Sequence, residues 1–323
     1  MWEASEDERA CIEGRLDDVV WLADGVEDVE VALTFFPRRE WRRLGGDWSA
    51  LPSLRLIQSC TAGLNHMGWD DLPDVPVAAA PGATGPFIAE YVLATTLAWA
   101  RGLIRHTQDI RRGRFDQGAP VRSLASLRVG LVGYGGIGQA TARLLSGLGA
   151  TVEAVSRSGQ ADDQALALVE RLGTMADLNA MMARSDVVVL CLPLTADTEG
   201  LIGIDGLSGM MGRPALLINV GRGPLVKEGD LFAWLDSSHT KHAAALDVWW
   251  RYPTKDGERP FSEAFESLPN VVMTPHNSPN VEGFRLAMID QACRQVRHFI
   301  DTGEALEVHD PAWYRTDAEG DGR

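Results

Sequence analysis

The stretch Leu127–Ser158, LRVGLVGYGGIGQATARLLSGLGATVEAVSRS, decides how the chain is read. Leu127–Val132 is a short apolar run, the pattern of a strand buried on both faces. Gly133, Gly135 and Gly138 follow in the spacing G-x-G-x-x-G, and apolar positions then recur with helical period at Ile137, Ala140, Leu144, Leu145 and Leu148. Gly149 closes that helix, and Thr151–Val155 reads as a second strand. Set in a βαβ unit of about 30 residues, the glycines read as a dinucleotide-binding turn. The first permits a tight turn, the second lets backbone approach a pyrophosphate, and the third lets helix and strand pack closely. The phosphates rest on free N–H groups where Gly136 and Ile137 open the helix.

The end of the second strand selects the dinucleotide. A carboxylate there bonds the ribose 2′-hydroxyl of NAD, whereas an arginine accommodates the 2′-phosphate of NADP. Here the position is Ser156, followed by Arg157 and Ser158, with no acid before Asp162. Two hydroxyls and a guanidinium can hold a phosphate that a carboxylate would repel. NADP(H) is therefore favoured over NAD(H).

Composition bounds the rest. A chain of 323 residues exceeds a comfortable single core, so two domains are expected. A hydrophobic fraction of 45% with 33 glycines suits a soluble α/β protein. The net charge of −15 argues against nucleic acid or an anionic membrane as partner. Cys11, Cys60, Cys191 and Cys293 are scattered, which implies neither a disulfide framework nor a metal site. The first ten residues, MWEASEDERA, lack the basic and apolar regions of a signal peptide, and no apolar run reaches membrane-span length. A cytoplasmic protein is expected.

Before the glycine turn, Val29–Phe35, Leu54–Ser59 and Val75–Ala80 read as strands of a small flavodoxin-like domain. Two turns follow strands there, SCTAGLNH around Ala62 and Gly63, and PGAT ending at Thr84. A helix is expected from about Pro86 to Ile104, then a basic, irregular arm over 105–126. After the glycine turn, strands are expected at Val187–Leu192, Ala215–Val220 and Ala243–Asp247, a helix from about 287, and a disordered tail over Thr316–Arg323. The expected fold is α/β with two doubly wound parallel-sheet domains. One is a Rossmann nucleotide-binding domain over 99–289; the other is a smaller flavodoxin-like substrate domain from 1–98 and 290–323.

Four strand ends carry candidate chemistry: CLPLT with Pro193, NVGRG with Gly221 and Arg222, Asp247 at the end of ALDV, and His276 in TPHNS. A guanidinium can grip a carboxylate with two parallel hydrogen bonds, and an imidazole can exchange a proton near neutral pH.

These stretches together resemble the D-isomer-specific 2-hydroxyacid dehydrogenases. The resemblance runs from about Leu54 to Asp301 through LIQSCTAGLNH, PGATGPFIAEYVL, VGLVGYGGIGQATARLL, CLPLTADTEGLIG, LINVGRGPLV, AALDVW and VVMTPHNS. It implies that His276 is the acid/base, that Arg222 anchors the substrate carboxylate, and that amides around Ala62 and Gly63 bind its other side, near Thr84. It implies further that Asp247 meets the nicotinamide carboxamide, that the substrate is a small 2-oxo or 2-hydroxy carboxylic acid, and that the protein is a homodimer. The Ser-Arg-Ser sequence points to the glyoxylate/hydroxypyruvate reductases within the family.

The chain departs from the family at Tyr252, where most relatives have the Glu that pairs with the catalytic histidine. A phenol orients an imidazole without stabilising its cation as a carboxylate does, so a weaker acid at His276 is expected. Asp256 and Glu258 read as surface charge, with supply of that carboxylate as the alternative. Formate dehydrogenases also lack the Glu, but have Asn where Thr84 stands. The competing reading from another class is an NADP(H)-sensing binding protein with little turnover; retention of Arg222 and His276 argues against it. Trp69, Trp249 and Trp250 either line the side-chain pocket or belong to the core or an interface.

Overall fold

A computed structural model describes residues 4–19, 21, 28–35, 48, 51–64, 67, 69–238, 241–255 and 257–313. The Thr316–Arg323 tail, Asp256, and Asn65 and His66 of SCTAGLNH lie outside the described residues. The chain divides into two compact units, Met1–Thr84 with Val281–Arg323, and Gly85–Asn280. Both boundaries differ from the sequence expectation of 1–98 with 290–323 and 99–289.

The difference has a packing cause. The Gly85–Ala100 helix buries Ile88, Val92 and Ala100 in one core with Leu127, Val129, Leu131, Ala142 and Leu145. A Cβ on Gly85 would lie 2.7 Å from the Gly136 carbonyl oxygen, so only glycine lets the two helix starts meet. The helix ends before Gly102, which sits at φ +62°, and a second helix, Leu103–Arg111, occupies part of the expected arm. No single helix among the described residues is long and apolar enough to cross a membrane.

In the first unit, strands β1 (Val31–Thr34), β2 (Leu56–Ser59) and β3 (Val77–Ala78) form a parallel sheet in that order. The Phe284–Thr302 helix adds Met288, Ile289, Ala292 and Cys293 to a core shared with Ile12, Cys60 and Ala80. The fully buried Gln58 donates to the Ser59 and Ala79 carbonyls and to Gln295 Oε1.

The second unit is built on seven parallel strands: β4 (Arg128–Val132), β5 (Thr151–Ser156), β6 (Arg171–Thr174), β7 (Val187–Leu190), β8 (Ala215–Asn219), β9 (His242–Leu246) and β10 (Val271–Met273). They run in the order β10-β9-β8-β7-β4-β5-β6. Period-two alternation assigns Val129, Leu131, Val187, Val189, Leu216 and Ile218 to one face. Val132, Val188, Leu190, Leu217, Ala244 and Leu246 go to the other. Both faces are covered, so the strands read as continuous apolar runs. The β6 edge strand, with two of its four residues exposed, had no such signature. Strand order reverses between β4 and β7, and in open α/β sheets ligands bind beyond the carboxyl ends of the strands at such a point. Because all seven strands are parallel, every candidate turn of this unit lies at that one edge.

Candidate active site

The glycine turn after β4 has three separate steric requirements. Gly133, at φ +102°, leaves no room for a side chain: a Cβ would lie 2.7 Å from the Cys191 carbonyl oxygen. At Gly138 a Cβ would lie 2.4 Å from the Gly133 oxygen, so the Gly136–Gly147 helix rests directly on the turn. Gly135 has nothing within 4 Å of its Cβ position and, as N-cap, offers no capping side chain. The first-turn N–H groups at Gly136, Ile137 and Gly138 have no intrahelical partners by position. A cradle open at Gly135 and closed at the other two glycines fits a pyrophosphate.

Beyond β5, the Ser156 hydroxyl accepts from Gly159 N at 3.0 Å and the Ser158 hydroxyl from Gln160 N at 3.2 Å. Each hydroxyl keeps its proton free to donate. Arg157 is exposed between them. Asp162, the first acid after the strand, is committed to capping the Asp163–Leu166 helix by accepting from Ala165 N at 2.9 Å. Tyr134, inside the glycine motif, holds the same helix through its hydroxyl, which donates to the Ala165 carbonyl at 2.6 Å. Pro193 is exposed in the turn that follows β7.

The turn after β8 is closed by the fully buried Asn219, whose side chain accepts from Gly221 N and donates to the Arg222 carbonyl. Arg222 sits half-buried on it, with Nη1 donating to the Gly221 carbonyl at 2.7 Å. Gly221 and Gly223 have no room for a side chain, and Gly223 lies against the Trp249–Trp250 peptide.

His276 follows β10 in the left-handed region, φ +57°, which is uncommon for a residue with a Cβ. Two groups after β9 fix it. The fully buried Asp247 accepts from Thr274 Oγ1 at 2.6 Å, Asn277 N at 3.0 Å and Ser278 N at 3.1 Å, gripping the loop on both sides of the histidine. The Tyr252 hydroxyl lies 2.9 Å from His276 Nδ1. Glu258 is engaged with Thr254 instead, accepting from its amide and hydroxyl. Burial holds the His276 imidazole below its ordinary pKa; the nearby Arg222 guanidinium lowers it further, and the Asp247 carboxylate opposes both. Burial pushes the Tyr252 phenol above its ordinary value, so it is a neutral partner at physiological pH.

Trp249 and Trp250 are core residues. Trp249 is buried beside Phe261 and donates to the Thr274 carbonyl; Trp250 stacks on Phe265 and donates to the Val226 carbonyl. Trp69 is partly buried against the first unit's core. Ala62 and Gly63 lie half-buried in the turn after β2, and Thr84 is buried in the turn after β3.

The family model for the D-isomer specific 2-hydroxyacid dehydrogenase NAD binding domain matches residues 93–278, more than half of the chain. The chain belongs to the D-isomer-specific 2-hydroxyacid dehydrogenase family. A glycerate dehydrogenase from Methylorubrum extorquens is 30% identical over 265 residues, covering 77% of this chain and 77% of its own. A solved D-isomer specific 2-hydroxyacid dehydrogenase from Xanthobacter autotrophicus, in complex with NADPH and MES, is 29% identical with a TM-score of 0.77, covering 95% of both chains. An NADPH-dependent glyoxylate/hydroxypyruvate reductase from Sinorhizobium meliloti, in complex with NADP and sulfate, is 26% identical with a TM-score of 0.75, covering 96% of both. This 2-hydroxyacid dehydrogenase is accordingly an NAD(P)-dependent oxidoreductase of 2-oxo and 2-hydroxy acids.

Sequence reasoning missed the residues around the histidine. Thr274, Asn277 and Ser278, and Tyr91, whose hydroxyl lies 3.0 Å from Thr274 Oγ1, were given no role there. A hydroxyl on a helix apolar on several faces was the one available signal.

Proposed function

We propose that this enzyme is an NADPH-preferring reductase converting a small 2-oxo acid to the D-2-hydroxy acid, acting as a cytoplasmic homodimer. The observation that carries the reading is the meeting, at one sheet edge, of the turn-mounted Arg222 with an imidazole that Tyr252 orients. Arg222 grips the substrate carboxylate and polarises the reacting carbonyl. His276, as imidazolium, donates its Nε2 proton to the carbonyl oxygen. Bound NADPH supplies the hydride. Asp247 has accepted three hydrogen bonds and retains acceptor capacity for the nicotinamide carboxamide. Gly133, Gly135, Gly136, Ile137 and Gly138 hold the pyrophosphate, with Pro193 and Gly221 shaping the walls.

Tyr252 serves both protonation states of the histidine. Its hydroxyl donates to Nδ1 of the neutral ring, which leaves the proton on Nε2, and accepts from Nδ1–H of the cation. The ring keeps its orientation, but the cation gains no countercharge from the phenol. Reduction needs the cation, whose population falls about tenfold per pH unit above a midpoint displaced below about 6.5. NADPH consumption with glyoxylate, hydroxypyruvate, pyruvate and phenylpyruvate at pH 6 and 8 tests this. The rate should be at least about tenfold higher at pH 6; a rate unchanged up to pH 8 would overturn the assignment. Tyr252→Glu should move the midpoint upward, because a carboxylate at Nδ1 favours the cation.

The cofactor preference rests on the Ser156-Arg157-Ser158 loop and on the commitment of Asp162 elsewhere. Arg157→Ala should weaken NADPH binding about tenfold, the value of one charge-assisted bond, and leave NADH unchanged. Equal losses for both cofactors would exclude 2′-phosphate recognition by this residue. Four cysteines without a disulfide suit a reducing compartment. The homodimer is supported by Leu103, Ile110, Phe115 and Val121, exposed on and after the Leu103–Arg111 helix, none of whose residues is buried.

A further inference from the structure

The Gly85–Ala100 helix contributes a polar side chain to the histidine loop. Tyr91 Oη and Thr274 Oγ1 are 3.0 Å apart, and Thr274 Oγ1 is 2.6 Å from Asp247 Oδ1. An ionised carboxylate only accepts, so the single Thr274 proton goes to Asp247 and Tyr91 must donate to Thr274. The Asp247 oxygens in turn accept from Asn277 N and Ser278 N, which immediately follow His276. Trp249 Nε1 holds the Thr274 carbonyl at 2.9 Å. The chain of bonds is continuous from a helix buried in the unit's core to the two peptides that hold His276 at φ +57°.

We propose that Tyr91 is a positioning residue for His276, acting through Thr274 and Asp247. The proposal rests on the reading of His276 as the proton donor. The sheet alone cannot hold this loop, because β10 is a three-residue edge strand that ends at Met273. Asp247 can aim the two amides only if its own carboxylate is held in one rotamer, and among the described residues Thr274 Oγ1 is the one side chain bonded to it. Tyr91 fixes the rotor of that hydroxyl. Among the described residues, the charged and hydrogen-bonding groups acting on His276 are Arg222, Asp247 and Tyr252.

The test uses Tyr91→Phe, Thr274→Val, Thr274→Ser and the double variant Tyr91→Phe/Thr274→Val in the full chain. Tyr91→Phe should lower kcat for 2-oxo acid reduction about tenfold, as expected for a misplaced acid, while KM for NADPH and oxo acid changes less than about twofold. Hydrogen exchange of the Asn277 and Ser278 amides, measured without cofactor, should accelerate at least about tenfold, with exchange in the Gly85–Ala100 helix unchanged. Thr274→Ser should behave as the parent, because it keeps the hydroxyl. Thr274→Val should match Tyr91→Phe, and the double variant should be no worse than either, since one relay can be broken only once. Unchanged exchange at Asn277 and Ser278 in Tyr91→Phe, losses that add in the double variant, or failure of Thr274→Ser to preserve the parent behaviour would each overturn the proposal. A parent enzyme that reduces no 2-oxo acid would instead refute the proposed function, and the exchange measurement would still decide whether Tyr91 anchors the loop.

Discussion

Arg222→Ala is expected to lower kcat/KM for 2-oxo acid reduction about a thousandfold while leaving NADPH affinity unchanged. Two charge-assisted hydrogen bonds to a substrate carboxylate are worth roughly 1.5–3 kcal/mol each, and every ~1.4 kcal/mol is a factor of ten. Their joint loss spans about a hundredfold to ten-thousandfold, and the lost polarisation of the reacting carbonyl places the expected value inside that range. Arg222→Lys should recover little, because an ammonium is a point charge and cannot reproduce the planar fork. A second signature accompanies the loss. Arg222 lowers the His276 pKa by charge repulsion, so removing it should move the midpoint of the residual pH profile upward. Steady-state kinetics across pH, with NADPH binding followed by fluorescence, reads both effects. A loss below about tenfold would mean that the carboxylate is held elsewhere.

Gly223→Ala should be the most damaging methyl group added anywhere near the site. Its Cβ would fall 2.1 Å from the Trp249 carbonyl carbon, 2.3 Å from the oxygen and 2.5 Å from Trp250 N. All three are backbone atoms, so no flexible side chain can swing aside. Relief requires parting the turn of Arg222 from the segment that carries Asp247, Trp249 and Tyr252. Overpacking of this kind costs about 1–3 kcal/mol, which for a unit of this size is a fall of roughly 2–12 °C in Tm. Activity should drop more than about a hundredfold, because both Arg222 and the segment that holds the His276 loop are displaced. Gly135→Ala is the matched control: with nothing within 4 Å of its Cβ position, it should leave Tm unchanged and weaken NADPH binding alone. Equal Tm values for the two variants would refute the steric account.

The parts of this enzyme that were legible in the sequence are those set by short-range pattern. Apolar runs marked β4, β7 and β8 because both faces of the sheet are buried, and Gly133, Gly135 and Gly138 declared themselves by spacing. The positions of Arg222, Asp247 and His276 at strand ends were legible: Asp247 directly follows β9, and Arg222 and His276 lie three residues beyond β8 and β10. Tyr252 was legible as a departure, and the structure adds its 2.9 Å contact with His276. The Tyr91–Thr274–Asp247 relay was not legible, because it joins residues 183 and 27 positions apart in sequence. Strand β6 was hidden by its edge position, where exposed residues erase the apolar run. The unit boundary at Gly85 differs from the expected one for a related reason. A helix apolar on several faces does not say which core it joins, and the close approach at Gly136 that decides the matter is a property of two glycines 51 residues apart.

The left-handed backbone of His276 places two demands on one position that do not agree. For folding alone, glycine would suit φ +57° better than an imidazole-bearing residue, since the left-handed conformation costs an L-residue roughly 1–2 kcal/mol. The chain accepts that strain and offsets it with the Asp247 clamp, so the loop stands in a geometry that its own sequence does not prefer. A variant chosen for thermal endurance would therefore drift toward glycine at 276 and toward a relaxed loop, gaining heat tolerance as it lost the imidazole. At this residue the margin of stability has been exchanged for an imidazole held in one place.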